Sequence, residues 1–223
     1  MPYSHGLKDN LISYYTLNNT GNDSGPNGYD LSNVQGDVQY GDSFMGGAAA
    51  SFPNSGSRLE VPYPNLTTFT ITGWVKLTTQ PSWYPAFAGK WDGGGGWNFI
   101  CGSNPQGEFG ANIGDGGSSP LLEAGLNTPN SIADGNWHFF VFVCDPANGV
   151  LKCKTDTETW TTTTITSAPQ GSTFPLQIGQ DPAQSTGAWN GYLSNMGFWS
   201  RPLSDSEINR LYNNGQGLPY SSF

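Results

Sequence analysis

The sequence predicts an all-β chain, a sandwich or barrel of many short strands with one short helix near the C-terminus. Short segments rich in β-branched and aromatic residues recur from end to end, parted by Gly/Pro/Asn/Asp clusters, which is the spacing of strands and turns. Aromatics make up 13% of the 223 residues, so large rings supply a core even though hydrophobic residues total only 35%. That ring content excludes a disordered chain. Charged residues are only 11%, against 31 Gly and 16 Pro, so hydroxyls, amides and glycine must cover most of the surface.

The elements follow in order. Residues 11–16 form the first candidate strand, and a turn carrying Asp23, Ser24, Asn27 and Asp30 comes next. Residues 49–52 and 59–61 are short β-forming runs. From Phe69 to Val75 apolar residues alternate with small or polar ones, which predicts a strand over 69–77 with one packed and one wet face. Residues 86–90, 98–101 and 109–113 follow as short runs. Within 137–144, Phe139 to Val143 are apolar on both faces, as in a central strand covered on each side. Asn148 and Gly149 separate that strand from 150–154; a two-residue turn there would set Cys144 opposite Cys153. A cross-strand bridge and a pair of reduced buried thiols are both open, and with Cys101 the odd count is no disulfide framework. Residues 176–178 and 191–199 complete the strands.

The helix has its own signals. Ser204 and Glu207 form a capping box, Ile208, Leu211 and Tyr212 share one face, and Asn213, Asn214 and Gly215 supply the stop. No linker or internal repeat divides the chain, which reads as a single domain over 1–223.

The charge balance excludes some partners. With 17 acids against 8 bases the net charge is −9, and no Lys/Arg cluster exists, so neither nucleic acid nor an anionic membrane surface is expected. The longest apolar run, 139–144, is far short of the ~20 residues a spanning helix needs. The first eight residues have neither a basic nor an apolar leader region, which points to synthesis in a cytosol or to a chain whose leader has been removed.

Several segments, in order, resemble the laminin G-like or concanavalin A-like lectin/glucanase superfamily. The strand at 11–17, the Asp23 to Asp30 turn, the runs at 50–52 and 59–62, the strand at 69–76, the Asp134-Gly135-Asn136-Trp137-His138 turn, and 191–199 leading through Arg201 and Pro202 to the helix carry it. The resemblance spans about 11–215 and implies a two-sheet antiparallel jelly-roll β-sandwich. It further implies a mostly non-catalytic binding module for carbohydrate or protein, often with calcium. Calcium would take Asp23, Asn27 and Asp30, completed from the last strand, where this chain has Ser194 and Asn195 in place of the family's acids. Asx turns alone are the alternative account of that loop.

Catalysis finds little support. Glycoside cleavage needs two carboxylates across a groove, and the tight acidic pair is Asp156 and Glu158, expected on one strand face. The third carboxylate of the glucanase pattern is missing, and Glu207 is spent on the helix cap. His138 lies in the resemblance motif as a structural residue, and neither a nucleophile elbow, a phosphate loop nor a zinc spacing is present.

Binding chemistry is better represented. Aromatic faces stack on sugars while amides and hydroxyls bond the sugar hydroxyls. The candidate cluster is Trp83, Tyr84, Trp91, Trp97 and Asn98 around the four glycines 93–96, with Trp189 in a second polar loop. The competing expectation is that these rings cap the core or fill an interface, whereas Trp74, Trp137 and Trp199 fall on strands as core. The leading expectation is a non-catalytic jelly-roll binding or surface module on a phage virion, as a capsid-decoration or tail-associated protein contacting glycans or neighbouring coat subunits, with a homo-oligomer open. The alternatives are a secreted, extracellular lectin-like domain cut from a larger protein and an atypical glycoside hydrolase.

Overall fold

The computed structural model describes residues 6–53, 56–81, 84–91, 96–114, 126–179 and 190–223, the side chains of Asn33, Ser43 and Trp97 excepted. Its strands, in chain order, are β1 (Leu11–Tyr15), β2 (Asn33–Gln35), β3 (Gln39–Phe44), β4 (Gly47–Ser51), β5 (Arg58–Val61), β6 (Phe69–Leu77), β7 (Ala86–Trp91), β8 (Trp97–Ser103), β9 (Glu108–Ile113), β10 (Leu126–Ser131), β11 (Trp137–Asp145), β12 (Val150–Thr155), β13 (Thr161–Thr164), β14 (Leu176–Gly179) and β15 (Gly191–Trp199). The helix α1 (Asp205–Tyr212) follows.

All pairings are antiparallel, and they build two sheets. The first runs β13-β12-β11-β6-β15-β4-β3, with β1 added along the far half of β15; the second runs β10-β9-β8-β7-β14-β5-β2. This is the expected jelly-roll sandwich. In the first sheet Gly73 lies opposite Phe140, and a Cβ at Gly73 would sit 2.6 Å from that ring, so the close approach requires glycine. β15 carries a bulge between Ser194 and Gly197, and Asn195 takes a positive φ of 51° within it.

The rings partition by strand periodicity. Phe140 and Phe142 of β11 face inward and meet Phe109 and Phe69 at ring-centre separations of 4.9 and 5.2 Å, while Phe87, Phe99 and Phe198 join the same core. Phe139, Val141 and Val143 face the other way, with Trp74 and Trp199, into a second cluster. Ile208 and Leu211 of α1 and the tail residues Leu218, Tyr220 and Phe223 cover that cluster. Trp74 and Trp199 are buried as expected, and half-buried Trp137 packs on Phe44.

Because α1 and the tail roof the first sheet, the wet face expected for β6 is dry. Thr70 and Thr72 are buried there, and the Thr70 hydroxyl donates to the Arg201 carbonyl (2.8 Å) while accepting from the Leu203 amide (2.8 Å). The alternation is present, but threonine satisfies its hydroxyl under the connection to the helix.

The capping box forms: Ser204 Oγ accepts from the Glu207 amide, and Glu207 Oε2 accepts from the Ser204 amide. Glu207 also accepts from the two terminal guanidinium nitrogens of Arg201 at 2.6 and 3.0 Å. Burial works against its charge, but the Arg201 and Ser204 hydrogen bonds outweigh it and hold its pKa at about 2. Asn213 ends the helix at φ 47°.

The β11–β12 connection differs from the two-residue turn. A 3-10 turn over Pro146–Asn148, capped by Asp145 and closed by Gly149 at φ 62°, sets Cys144 opposite Leu151 and Cys153 opposite Phe142. The two cysteines are not cross-strand partners. Cys101, Cys144 and Cys153 are free and buried, and burial raises each thiol to about 12. No helix of the described residues is long and apolar enough to cross a membrane.

Candidate functional site

The helix and tail cover the outer face of the first sheet, and the candidate site lies on the second sheet and the loops around it. A cleft of about 530 Å³ opens there, where the chain enters β14 between β5 and β7. Ser32 and residues 62–65 line it on one side, and residues 172–175 on the other. Glu60 and Val61 of β5 and Lys90 of β7 complete it. This volume suits a small ligand or a short stretch of polymer.

Three side chains fasten the irregular segment 170–174. Asn98 Nδ2 donates to the Gln170 carbonyl at 2.8 Å, Asn65 Oδ1 accepts from the Ser172 amide at 2.9 Å, and Lys90 Nζ donates to the carbonyls of Ser172 and Phe174 at 2.6 and 2.5 Å. The Phe174 amide bonds Ser172 Oγ. Phe174 is thereby held by its backbone while the residue stays 39% exposed; the other large hydrophobics so exposed among the described residues are Val34 and Tyr84. The same cleft is lined by Pro62, Pro64 and Pro175, with Ser32, Asn65 and Thr173 as neutral hydrogen-bonding groups.

Of the expected aromatic cluster, the described members do not lie together. Tyr84 and Trp91 lie beyond and at opposite ends of β7, whose six residues span about 20 Å at ~3.3 Å per residue. Tyr84 is exposed at one rim, beside Pro85, whose carbonyl accepts from the Ser103 amide. Trp91 is buried at the other rim, 8% exposed, and pairs across the strands with Trp97. Asn98 is fully buried: Oδ1 accepts from the Leu66 amide, and Nδ2 donates to the Leu66 and Gln170 carbonyls, each at 2.8 Å. It holds the cleft's frame instead of a ligand. Trp83, Trp189 and the side chain of Trp97 lie outside the described residues.

The Asp23 loop spends its acceptors on the backbone. Asp23 Oδ1 accepts from the amides of Tyr14 (2.8 Å) and Gly25 (2.7 Å), and Oδ2 from that of Tyr29 (2.9 Å). Asp30 Oδ1 accepts from the Asp23 amide, and Asn27 turns its amino group onto the Ile12 carbonyl. Asn195 Oδ1 accepts from the buried Tyr14 hydroxyl at 3.1 Å. Among the described residues no three His, Cys, Asp or Glu side chains converge as metal ligands. Calcium takes six to eight oxygens from carboxylates, amides and backbone carbonyls. The set supplies two carboxylates, Asp23 and Asp30, whose oxygens already accept from backbone amides, and Asx-type bonds hold the loop.

Asp156 and Glu158 lie beyond the end of β12, in the following turn, not on a strand face. Asp156, at φ 46°, accepts from the Phe139 amide and from His138 Nδ1 (2.7 Å). Glu158 binds the Thr155 hydroxyl and the Asn130 amide. His138 Nε2 meets Asp134 at 2.9 Å. Burial disfavours the charged imidazole, yet its bonds to Asp156 and Asp134 raise its pKa above the ordinary value. Asp134, despite some burial, is lowered to about 2 by His138 and Asn136. The group clasps the β11 entry to the β12 exit. Among the described residues the cleft's lining has one carboxylate, Glu60, bound by Arg58 (2.5 Å) and Gln177 (2.9 Å).

Two antiparallel layers with a capped C-terminal helix and a lateral cleft define a jelly-roll sandwich of the lectin type. Residues 46–209 match the sequence model of a laminin G-type family described as the concanavalin A-like lectin/glucanases superfamily, and the chain belongs to it. No curated protein matches its sequence.

Solved structures share the fold. The binding domain of Paraclostridial Mosquitocidal Protein 1 is 14% identical with a TM-score of 0.71, over 94% of this chain and 53% of that one. The binding domain of Botulinum neurotoxin DC, solved with rat synaptotagmin II, is 15% identical with a TM-score of 0.72, over 94% and 52%. The chain thus spans about half the length of these toxin domains. Domain 4 of AbnA, a GH43 extracellular arabinanase from Geobacillus stearothermophilus solved with arabinotriose, is 20% identical with a TM-score of 0.64, over 89% and 96%.

Proposed function

We propose that this protein is a non-catalytic binding domain that holds a glycan in the cleft between residues 62–65 and 172–175. One observation carries the reading. Phe174 is an exposed aromatic lining a cleft bordered by neutral hydroxyl and amide groups, and its backbone is fixed by Lys90 and Ser172. A fixed ring loses little entropy on stacking against a sugar face. The arabinotriose complex of the similar arabinanase domain supports a glycan on this fold. The non-catalytic part rests on the carboxylates: Asp156 and Glu158 brace a turn, and among the described residues Glu60 is the one acid lining the cleft.

The test is a glycan array followed by titration of the strongest ligand. Phe174→Ala should weaken binding about tenfold, roughly 1.4 kcal/mol, with an unchanged melting temperature. Equal binding by the variant would remove the cleft from the account. A reducing-end assay on a polysaccharide panel should stay blank; product release abolished by Asp156→Asn or Glu158→Gln would establish an enzyme instead.

A further inference from the structure

Lys90 is the least expected residue in the cleft. It sits on β7 and is only 3% exposed, yet it lines the opening. An ammonium has three hydrogens. Two go to the carbonyls of Ser172 and Phe174. Among the described residues no carboxylate lies within ion-pair distance of it, although Arg58, Lys76, His138 and Arg201 each have one. The other ionisable groups of the cleft do not compensate. Glu60 is already bound by Arg58 and Gln177, and the Tyr63 phenol shares a 2.6 Å hydrogen bond with Ser13 and is held neutral by burial. A buried ammonium bound to neutral carbonyls lacks the counter-charge that offsets its desolvation. Burial lowers the Lys90 pKa, as that imbalance requires.

We propose that the cleft selects saccharides bearing a carboxylate, which takes the third hydrogen of Lys90 while the sugar's apolar face lies on Phe174. This rests on the glycan reading above and names its substrate class. The protein's net charge of −9 does not oppose it at contact, because charges elsewhere on the surface are screened over about 8 Å at physiological salt. A charge-assisted bond inside the cleft escapes that screening.

The experiment is calorimetric titration of the full chain with a short oligogalacturonate and, separately, with its methyl ester, which has the same stacking face and no charge. The acid should bind at least about tenfold tighter. Lys90→Arg should keep the preference, and Lys90→Gln, which retains donors for the two carbonyls, should abolish it. Should Lys90→Gln fail to fold, the acid-against-ester comparison on the unmodified protein decides alone. Equal affinity for acid and ester would overturn carboxylate selection and leave the glycan reading standing. Failure of both, with a blank glycan array, would overturn the glycan reading as well. Binding of an acidic peptide in place of both sugars would replace the saccharide by a protein ligand.

Discussion

Asn98→Ala separates a framing role from a ligand-binding one. The side chain makes three hydrogen bonds of 2.8 Å in a fully buried position. Alanine leaves the Leu66 amide, the Leu66 carbonyl and the Gln170 carbonyl without those partners. Each such buried orphan costs at least about 1 kcal/mol, so the variant should lose about 3 kcal/mol or more. For a chain of this size that is a fall of about 6–12 °C in melting temperature. Asn98→Asp should do worse at pH 7, since one oxygen still accepts from Leu66 but the other confronts two carbonyls. Those carbonyls and burial raise the new acid's folded pKa above its unfolded value of about 3.9. Its stability is therefore highest below that value and is lost as pH rises through the folded pKa. Urea unfolding followed by tryptophan fluorescence at pH 4 and pH 7 measures both effects. An Asn98→Ala protein that melts with the parent but loses glycan would refute the framing argument and return Asn98 to the binding site.

Three further outcomes are expected. Asp23→Ala removes the acceptor of three backbone amides and should cost about 3 kcal/mol; calcium should leave the parent's melting curve in place, and a rise reversed by chelator would contradict the donor count. Glu207→Ala strands the Arg201 guanidinium and should cost about 3–5 kcal/mol in denaturant titration, with Glu207→Gln losing less because it still caps Ser204. Stability against pH should form a plateau. Asp134 and Glu207 are lowered to about 2 from 3.8 and 4.5, so what they contribute is present above those values and lost as pH falls towards 2. His138 is raised above 6.5, so its contribution is whole below that value and lost as pH rises through its folded pKa. His138→Gln should flatten the alkaline decline in a melting series.

The strands at 69–77 and 191–199 were legible to their limits because they are long, apolar and central. The helix was legible because Ser204 and Glu207 cap it by side-chain chemistry that is local in sequence. Four strands were not: β2, β3, β10 and β13 are polar, and β13 is four threonines, half of them exposed. They lie at or next to sheet edges, where apolar alternation gives out and pairing alone defines the strand. The cleft was illegible for a different reason. Pro62 and Phe174 are far apart in sequence and meet only because β5 pairs with β14. Their one local signal is ring and proline clustered at the strand mouths, Tyr63 between Pro62 and Pro64, and Phe174 before Pro175. The grouping of Tyr84 with Trp91 and Trp97 misled because β7 carries Tyr84 to one rim and Trp91, paired with Trp97, to the other.

The sealed cysteines give the molecule its own opening reporter. An alkylating reagent meets no thiolate while the sheets stay closed, since all three sulfurs are inside and protonated. Modification therefore advances only as fast as the sandwich parts. Cys101 answers for the second sheet and the Cys144–Cys153 strands for the first, so mass spectrometry of the tagged peptides tells which layer loosens earlier.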